Sequence, residues 1–373
     1  MRIIFAGGGS GGHFYPLIAV ERALRDIALE KKITDLDIIY ASDDPYDPAL
    51  LKEDRIRFLK IPAGKIRRYF SIRNLFDPFK TLWGVIKACW ILYLNLPDVI
   101  FSKGGYASFP LLFAARLLGV PVIIHETDSI PGRVNVWASK FAKKIAISYP
   151  ESIKYFPKDK TALTGNPVRR EVIGGTIEKA KELFGFEDGV PVIFVFGGSQ
   201  GSAKINDAIL DILKDLLEFT QVVHQTGVGN INEVKERMSV VLEASKFRYR
   251  YHPFTFLDEE KYKSAYKAAS LIIARSGGSI FEIAAMGVPS ILIPLPSSAQ
   301  DHQRENAYSY ARNGAAEVIE EENMTPHILL REIKLLIADK PRLAKMSEAA
   351  KSFAKPDAAG RIASEIIRLG FEH

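Results

Sequence analysis

The sequence predicts an α/β protein built as two halves, each a parallel sheet with helices on both faces, set across a cleft. Three observations carry this expectation. Strand-like runs alternate with helical stretches, the pattern of a parallel sheet crossed by helices. An apolar run, a glycine turn and a helical stretch follow one another twice, from residue 3 and again from residue 191. At 373 residues the chain exceeds one ordinary core, so two domains are expected.

The first glycine turn organises the chain. Five of the six residues between Ala6 and His13 are glycine. A backbone so bare approaches an anion closely and aims its N–H groups at it, and the following helix adds the positive end of its dipole. His13 is the turn's only titratable side chain. Gly7, Gly9 and Gly12 also satisfy the dinucleotide pattern, which wants an acid about 20 residues further on at the end of the next strand. Asp43 lies too far along for that. A purely structural turn is the other reading; neither accounts for a second glycine turn.

Composition narrows the class. With 47% apolar and 25% charged residues, the chain reads as a soluble globular protein. Its single cysteine, Cys89, excludes an internal disulfide framework and fits a reducing compartment. The seven histidines are scattered, so no metal cluster is expected. No charged-then-apolar leader opens the sequence and no apolar run reaches about 18 residues, so neither a signal peptide nor a membrane span is expected. The net charge of +6 permits an acidic partner, and no zinc-finger or RNA-binding signature supports nucleic acid.

In the first half, strand-like runs lie at 36–41, 56–61, 98–101, 121–125, 144–147 and 161–163. Ligands of such sheets bind beyond the carboxyl ends of strands, so the residues after each run matter most. Residues 65–94 break the rhythm: Lys65, Arg67, Arg68, Arg73, Lys80 and Lys87 interleave with Tyr69, Phe70, Phe76, Phe79, Trp83, Trp90 and Tyr93. One reading is a core helix with a solvated basic side; the other is a patch that enters an anionic membrane surface. The run 98–101 leads to the Lys103-Gly104-Gly105-Tyr106 turn, a second place for an anion. The run 121–125 leads to His125, Glu126 and Asp128, three acid–base groups in four residues, or else a turn capped by Asp128 or Ser129. Gly165-Asn166-Pro167 reads as a hinge, so the boundary is set at 167/168.

In the second half, 191–196 is a wholly apolar run, the mark of a buried parallel strand. It leads into Gly197-Gly198-Ser199-Gln200-Gly201-Ser202. The run 271–274 leads into Arg275-Ser276-Gly277-Gly278-Ser279-Ile280-Phe281-Glu282. Ser279 and Glu282 fit a capping box, which would occupy both side chains. Equally, bare N–H groups at a helix start suit a diphosphate, and a carboxylate one turn in accepts both hydroxyls of a ribose. The run 289–294 leads to a prolyl turn and then Gln303 and Asn306, amides suited to reading sugar hydroxyls or simply a polar helix start. A last helix is expected at 358–369.

Together these stretches resemble the GT-B glycosyltransferases, and within them the MurG family, which adds N-acetylglucosamine to lipid I in peptidoglycan synthesis. The carrying motifs are GGGSGGHFYP at 7–16, KGGY at 103–106, HETDSIPGRVN at 125–135, GNPVR at 165–169, GGSQGS at 197–202 and PLPSSAQDHQRENA at 294–307. The resemblance implies two Rossmann-like domains with parallel sheets facing a central cleft. Residues 1–167, with a terminal helix at about 356–373, would take the acceptor and meet the membrane; residues 168–355 would hold UDP-N-acetylglucosamine. Donor contacts would come from Ser199, Gly278, Ser279 and Ile280 at the diphosphate, Leu257 at the uracil, Glu282 at the ribose, and Gln303 and Asn306 at the sugar. Ser10, Gly11, Gly12, Asp128 and Arg169 would also line the donor side. Gly9, Gly104, Gly105 and Tyr106 would take the acceptor pyrophosphate. His13 is the favoured general base and Glu126 the second catalytic candidate.

By the same resemblance the acceptor is undecaprenyl-pyrophosphoryl-muramyl-pentapeptide, lipid I. The protein would sit peripherally on the cytoplasmic face of the bacterial inner membrane, through residues 65–94. A metal is not structurally required, because helix N-termini stabilise the leaving UDP, and no cofactor is expected. Two departures stand out. The family usually shows His-Glu-Gln-Asn where this chain has His125-Glu126-Thr127-Asp128, and the segment from Arg275 to Glu282 is one residue shorter than the family pattern. The alternatives are a related enzyme that glycosylates another lipid such as diacylglycerol, a UDP-sugar epimerase, and a non-catalytic sugar-nucleotide-binding protein.

Overall fold

The computed structural model of the protein describes residues 1–65, 73–169, 172–198 and 201–372, with the backbone alone at 73–75. Arg67, Arg68, the Arg73 side chain and Ser199 therefore lie outside the described residues. The chain divides into two compact units, Met1–Arg169 with Lys355–His373, and Arg170–Ala354.

The first unit is a seven-stranded parallel sheet: β1 (Arg2–Ala6), β2 (Asp37–Ser42), β3 (Arg57–Lys60), β4 (Val99–Ser102), β5 (Val122–Glu126), β6 (Lys144–Ile147) and β7 (Thr161–Leu163), in the order 3-2-1-4-5-6-7. Side chains alternate across a strand, and β1 feeds two cores. Ile3 and Phe5 face α1 (Gly11–Glu30), while Ile4 and Ala6 join the core that holds α3 (Arg73–Asn95) and α4 (Phe109–Leu118). The short helices α2 (Pro48–Glu53) and α5 (Arg133–Ala138) complete the layers.

The second unit repeats the plan with six parallel strands: β8 (Val192–Phe196), β9 (Gln221–Gln225), β10 (Tyr251–Phe254), β11 (Ala269–Ala274), β12 (Ser290–Leu292) and β13 (Ala316–Val318), in the order 10-9-8-11-12-13. On one face lie α7 (Ala203–Leu216), α8 (Ile231–Val241) and α12 (Pro326–Ala338). On the other lie α6 (Ile177–Phe184), α9 (Glu259–Ala268), α10 (Ser279–Met286), α11 (His302–Arg312) and α13 (Lys340–Phe353). The last helix, α14 (Ala358–Phe371), leaves this unit and packs Ile362, Ile366 and Ile367 into the core of α1.

Three strands escaped the sequence reading. β9 is buried throughout yet carries Gln221, His224 and Gln225, so it shows neither an apolar run nor alternation. Its polar groups are met one by one: Gln221 by the backbone at 187 and 190, His224 by Tyr251 and Asn206, and Gln225 by the Leu257 amide. β10 contains Pro253, tolerated because the strand is at the sheet edge. β13 is three residues long.

Helix α3 is not a core helix with its aromatics inside. Its buried stripe is small or aliphatic, Gly84, Ala88, Ile91 and Leu92. Phe76, Phe79, Trp83, Trp90 and Tyr93 are each 60–70% exposed. Leu82, Ile86 and Leu94 are exposed as well, as are Leu117 and Leu118 on α4, the helix packed against it. Among the described residues no helix is long and apolar enough to cross a membrane.

Candidate active site

In an open parallel sheet the ligand crevice lies where the strand order reverses, beyond the carboxyl ends of the two flanking strands. Here those strands are β1 and β4 in one unit and β8 and β11 in the other. All four end in glycine turns: 7–12, 104–105, 197–201 and 277–278.

In the first unit Ser10 is the N-cap of α1, extended and exposed, and makes no side-chain cap hydrogen bond. The first turn, Gly11 and Gly12, thus presents backbone N–H groups that no cap side chain answers. His13 follows, its Nδ1 3.1 Å from the Gly8 carbonyl oxygen. A carbonyl only accepts, so Nδ1 donates and the ring's lone pair is on Nε2. A Cβ on Gly105 would come within 2.9 Å of this ring, and Gly105 has φ +80°. Only glycine fits there, and its bareness seats the imidazole between the two turns. Gly9 is likewise closed over the Tyr106 ring, whose hydroxyl donates to Asp43 (2.9 Å).

Beneath these turns lies a buried polar cluster. Lys103 is 2% exposed, and its Nζ reaches His125 Nδ1, Thr127 Oγ1 (2.5 Å) and Asn166 Oδ1 (3.0 Å). Burial pushes its pKa down to about 7 against the pull of Glu126 and Asp128. His125 is held far below its ordinary range by burial and by Lys103, hence neutral. Its Nε2 meets the Gly165 carbonyl at 2.9 Å. Gly165 and Asn166 are thereby tied into the cluster.

Glu126 is pushed up to about 7 by burial and by Asp128. Its Oε1 accepts the Asp128 amide, and its Oε2 accepts the Gly132 amide and Asn135 Nδ2, all at 2.9–3.0 Å. Both oxygens serve the turn that carries Asp128. Arg169 stacks over Tyr15 at 4.1 Å, and its Nε is buried without a hydrogen-bond partner.

In the second unit Ser202 caps α7 and Gly197 folds tightly beneath it. Arg275, buried, ties Ser202 Oγ, the carbonyls of Ile293 and Pro294, and Glu321 together. The capping box does not form. Gly278 is the N-cap of α10 without a side-chain bond, and Ser279 Oγ donates to the Arg275 carbonyl. Glu282 instead accepts from Tyr262 (2.9 Å) and Tyr266 (3.4 Å). Open space lies where a Gly277 side chain would be. The Ile280 amide donates to the Gly277 carbonyl, and the Leu257 amide to Gln225. Gln303 Oε1 accepts the Leu295 amide, and the buried Asn306 donates to the Ser276 carbonyl, so both amides brace the adjoining turns.

Sequence reasoning missed Lys103 as a buried hub, Asn135 as the anchor of Glu126, and the tyrosine pair that holds Glu282. The pair had a visible signal, an i, i+4 spacing of aromatics on α9. Gln300 and Asp301 were also missed; both have left-handed backbone, φ +57° and +58°, just before α11. Among the described residues no group of three or more His, Cys, Asp or Glu is placed to hold a metal ion.

Two parallel α/β units, each with paired glycine turns at its switch point, have the GT-B fold. The chain matches the glycosyltransferase family 28 N-terminal domain over residues 3–147 and the family 28 C-terminal domain over residues 192–362. It is 35% identical to the UDP-N-acetylglucosamine–N-acetylmuramyl-(pentapeptide) pyrophosphoryl-undecaprenol N-acetylglucosamine transferase of Clostridium tetani, covering 92% of both chains. It is 35% identical to the protein of the same name from Treponema denticola, covering 94% of this chain and 93% of that one. The crystal structure of Acinetobacter baumannii MurG superposes with TM-score 0.75 at 26% identity, over 98% of this chain and 99% of that one. A UDP-GlcNAc 2-epimerase from Neisseria meningitidis superposes with TM-score 0.67 at 16% identity, over 99% and 100%, a likeness of fold alone. The chain belongs to glycosyltransferase family 28 and, within it, to the MurG family of N-acetylglucosamine transferases.

The Lys103 amine supplies a pH test. Its folded pKa of about 7 lies below the ordinary 10.5. Between those values the unfolded chain binds a proton that the folded one has released, so this group makes stability rise with pH across that window. Below pH 7 both states are protonated and the burial penalty is fully present. Urea unfolding of wild type and Lys103→Met should show the difference moving in favour of wild type from pH 7 to 10.5; parallel pH curves would mean the amine titrates as an exposed lysine.

Proposed function

We propose that this protein transfers N-acetylglucosamine from UDP-N-acetylglucosamine to the muramyl sugar of lipid I, giving lipid II for peptidoglycan. The observation that carries the mechanism is His13, seated between two glycine turns with its lone pair on Nε2. The acceptor hydroxyl attacks the anomeric carbon, the bond from that carbon to the UDP phosphate oxygen breaks, and Nε2 takes the hydroxyl proton. A base of this kind contributes about 10²–10⁴-fold. Displacement on one face inverts the α-linked donor to a β-linkage.

The donor lies on the second unit in this reading. Glu282, held by two tyrosine hydroxyls, takes the ribose; Gly278, Ser279 and Ile280 with Ser199 take the diphosphate; backbone at Leu257 meets the uracil; Gln303 and Asn306 shape the sugar end. Ser10, Gly11, Gly12, Asp128 and Arg169 complete the donor side, with the unmatched Arg169 Nε in favour of an anion. Gly9, Gly104, Gly105 and Tyr106 take the acceptor pyrophosphate. Glu126 acts by closing the turn that carries Asp128. Charge that develops on UDP meets backbone donors fixed in place, which need no reorganisation.

A lipid-linked acceptor stays in the bilayer, so the protein docks peripherally on the cytoplasmic face. Exposed Trp83, Trp90, Phe76 and Phe79 with Lys80 support docking through α3. An exposed apolar face of this kind marks an interaction site, and basic groups near an anionic leaflet add about 1 kcal/mol each.

Wild type should turn over UDP-N-acetylglucosamine with a lipid I analogue and not with diacylglycerol; the reverse preference would sink the proposal. His13→Ala should lower kcat by about 10² or more with donor affinity unchanged. Activity within a few-fold of wild type would move the base elsewhere.

Glu282→Ala should weaken UDP binding, read by calorimetry, more than it lowers the melting temperature. Intact affinity with lost stability would leave Glu282 a structural partner of the tyrosines.

Sedimentation with anionic vesicles should show binding that falls with salt but not to zero. The double variant Trp83→Ala, Trp90→Ala should lose the salt-resistant part while soluble-acceptor activity survives. Equal sedimentation of variant and wild type would remove α3 from the docking surface.

A further inference from the structure

Glu282 is the ribose carboxylate of the proposed reaction, and two tyrosines fix its direction. Tyr262 and Tyr266 stand at i and i+4 on α9, so they share one face of that helix. Both hydroxyls donate to the same oxygen of Glu282, Oε2, one from 2.9 Å and the other from 3.4 Å. The two hydroxyl oxygens lie 3.3 Å from each other. Nothing in the transfer itself uses either phenol.

The rings that carry these hydroxyls are held in place. Tyr266 is fully buried. Its ring stands edge-on to Phe194 at 5.3 Å. The Tyr262 ring stands edge-on to Phe194 at 5.8 Å and to Tyr266 at 5.0 Å. Phe196 packs against both tyrosines as well. Edge-to-face contacts are a favoured geometry of aromatic pairs, so four rings support one another. Phe194 and Phe196 belong to β8, the strand that leads into the 197–201 glycine turn. The same strand therefore carries that turn and backs the tyrosines. Burial above all, with Tyr262 and Glu282 beside it, holds the Tyr266 hydroxyl far above its ordinary range, so it remains a donor.

A carboxylate is planar. With Oε2 met from two directions, the plane of the group is set, and with it the direction of Oε1. A fixed acceptor loses little freedom when it meets the hydroxyls of a ribose. A nucleotide without the 2′-hydroxyl would leave that acceptor desolvated and short of a donor, the costly side of a hydrogen bond. A carboxylate free to swing would escape that cost and discriminate less.

We propose that Tyr262 and Tyr266 are positioning residues that make the donor site selective for a ribonucleoside diphosphate over its 2′-deoxy counterpart, by holding Glu282 in one orientation. This inference rests on the reading of Glu282 as the ribose carboxylate.

The test compares UDP with 2′-deoxy-UDP by calorimetry on the full chain. Tyr262→Phe removes one hydroxyl and keeps its ring among the aromatics, and its melting temperature checks that it folds. Wild type should bind UDP about tenfold or more tightly than 2′-deoxy-UDP. In Tyr262→Phe the affinity for UDP should fall about fivefold and that for 2′-deoxy-UDP about twofold or less, because the phenol and the 2′-hydroxyl act through one carboxylate. Tyr266→Phe should shift the ratio the same way and less, since its bond is the longer. Adding Tyr262→Phe to Glu282→Ala should cost UDP nothing further.

Equal losses for the two nucleotides, or a wild-type preference that survives in Tyr262→Phe, overturn the positioning role and leave the tyrosines as parts of the core. A further loss in the double variant also overturns it, since Tyr262 would then act on the nucleotide without Glu282. A wild type that binds both nucleotides equally overturns the ribose reading of Glu282 and the inference with it.

Discussion

Backbone amides approach an anion most closely where no Cβ stands between them and the charge. The four glycine turns at the two switch points meet that condition, and much of the site is arranged around them. Gly105 lacks a side chain where His13 needs room, Gly9 where the Tyr106 ring closes over it, and Gly197 where Ser202 turns back. Contacts made by bare backbone discriminate little among phosphates. In the proposed reaction, selectivity then passes to the few side chains placed one turn further on, Glu282 in the second unit and His13 in the first.

The parts of the fold visible in the sequence were those written in apolar runs. β1, β4, β5, β8 and β12 announce themselves because parallel strands covered on both faces carry hydrophobic residues at successive positions. β9 did not, because its glutamines and histidine are satisfied by partners far along the chain, at 187, 206, 251 and 257. Helix α1 begins at Gly11, well before its apolar periodicity, because the turn ahead of it is shaped by bareness rather than by propensity. The glycine turns themselves could be read in advance. Their supports could not: which oxygen of Glu126 accepts which amide, or that Tyr262 rather than the local backbone would engage Glu282, depends on tertiary neighbours. α3 illustrates the opposite limit. A helix that interleaves aromatic and basic residues reads by composition either as a core element or as a membrane-facing patch, and only its packing against α4 reveals that the small residues face inward.

The buried cluster around Lys103 shows how a polar interior fixes one arrangement. Each member uses its hydrogen-bonding capacity on another member, so no side chain can turn without stranding a partner in a low-dielectric setting. Satisfied in this way, such a network rigidifies the region and specifies one arrangement. That rigidity lies directly under the loops that would carry substrate.

The return of α14 has a consequence for how the chain is made. Residues 362, 366 and 367 fill the core that α1 shares with β1, so the first unit lacks part of its interior until α14 has left the ribosome. The second unit, contiguous from 170 to 354, has all its strands before that moment. Synthesis therefore finishes the later-encoded unit first and leaves the earlier one open along the face of α1. A nascent chain stalled anywhere between 170 and 357 would leave the face of α1 that meets α14 uncovered, open to chaperones and proteases.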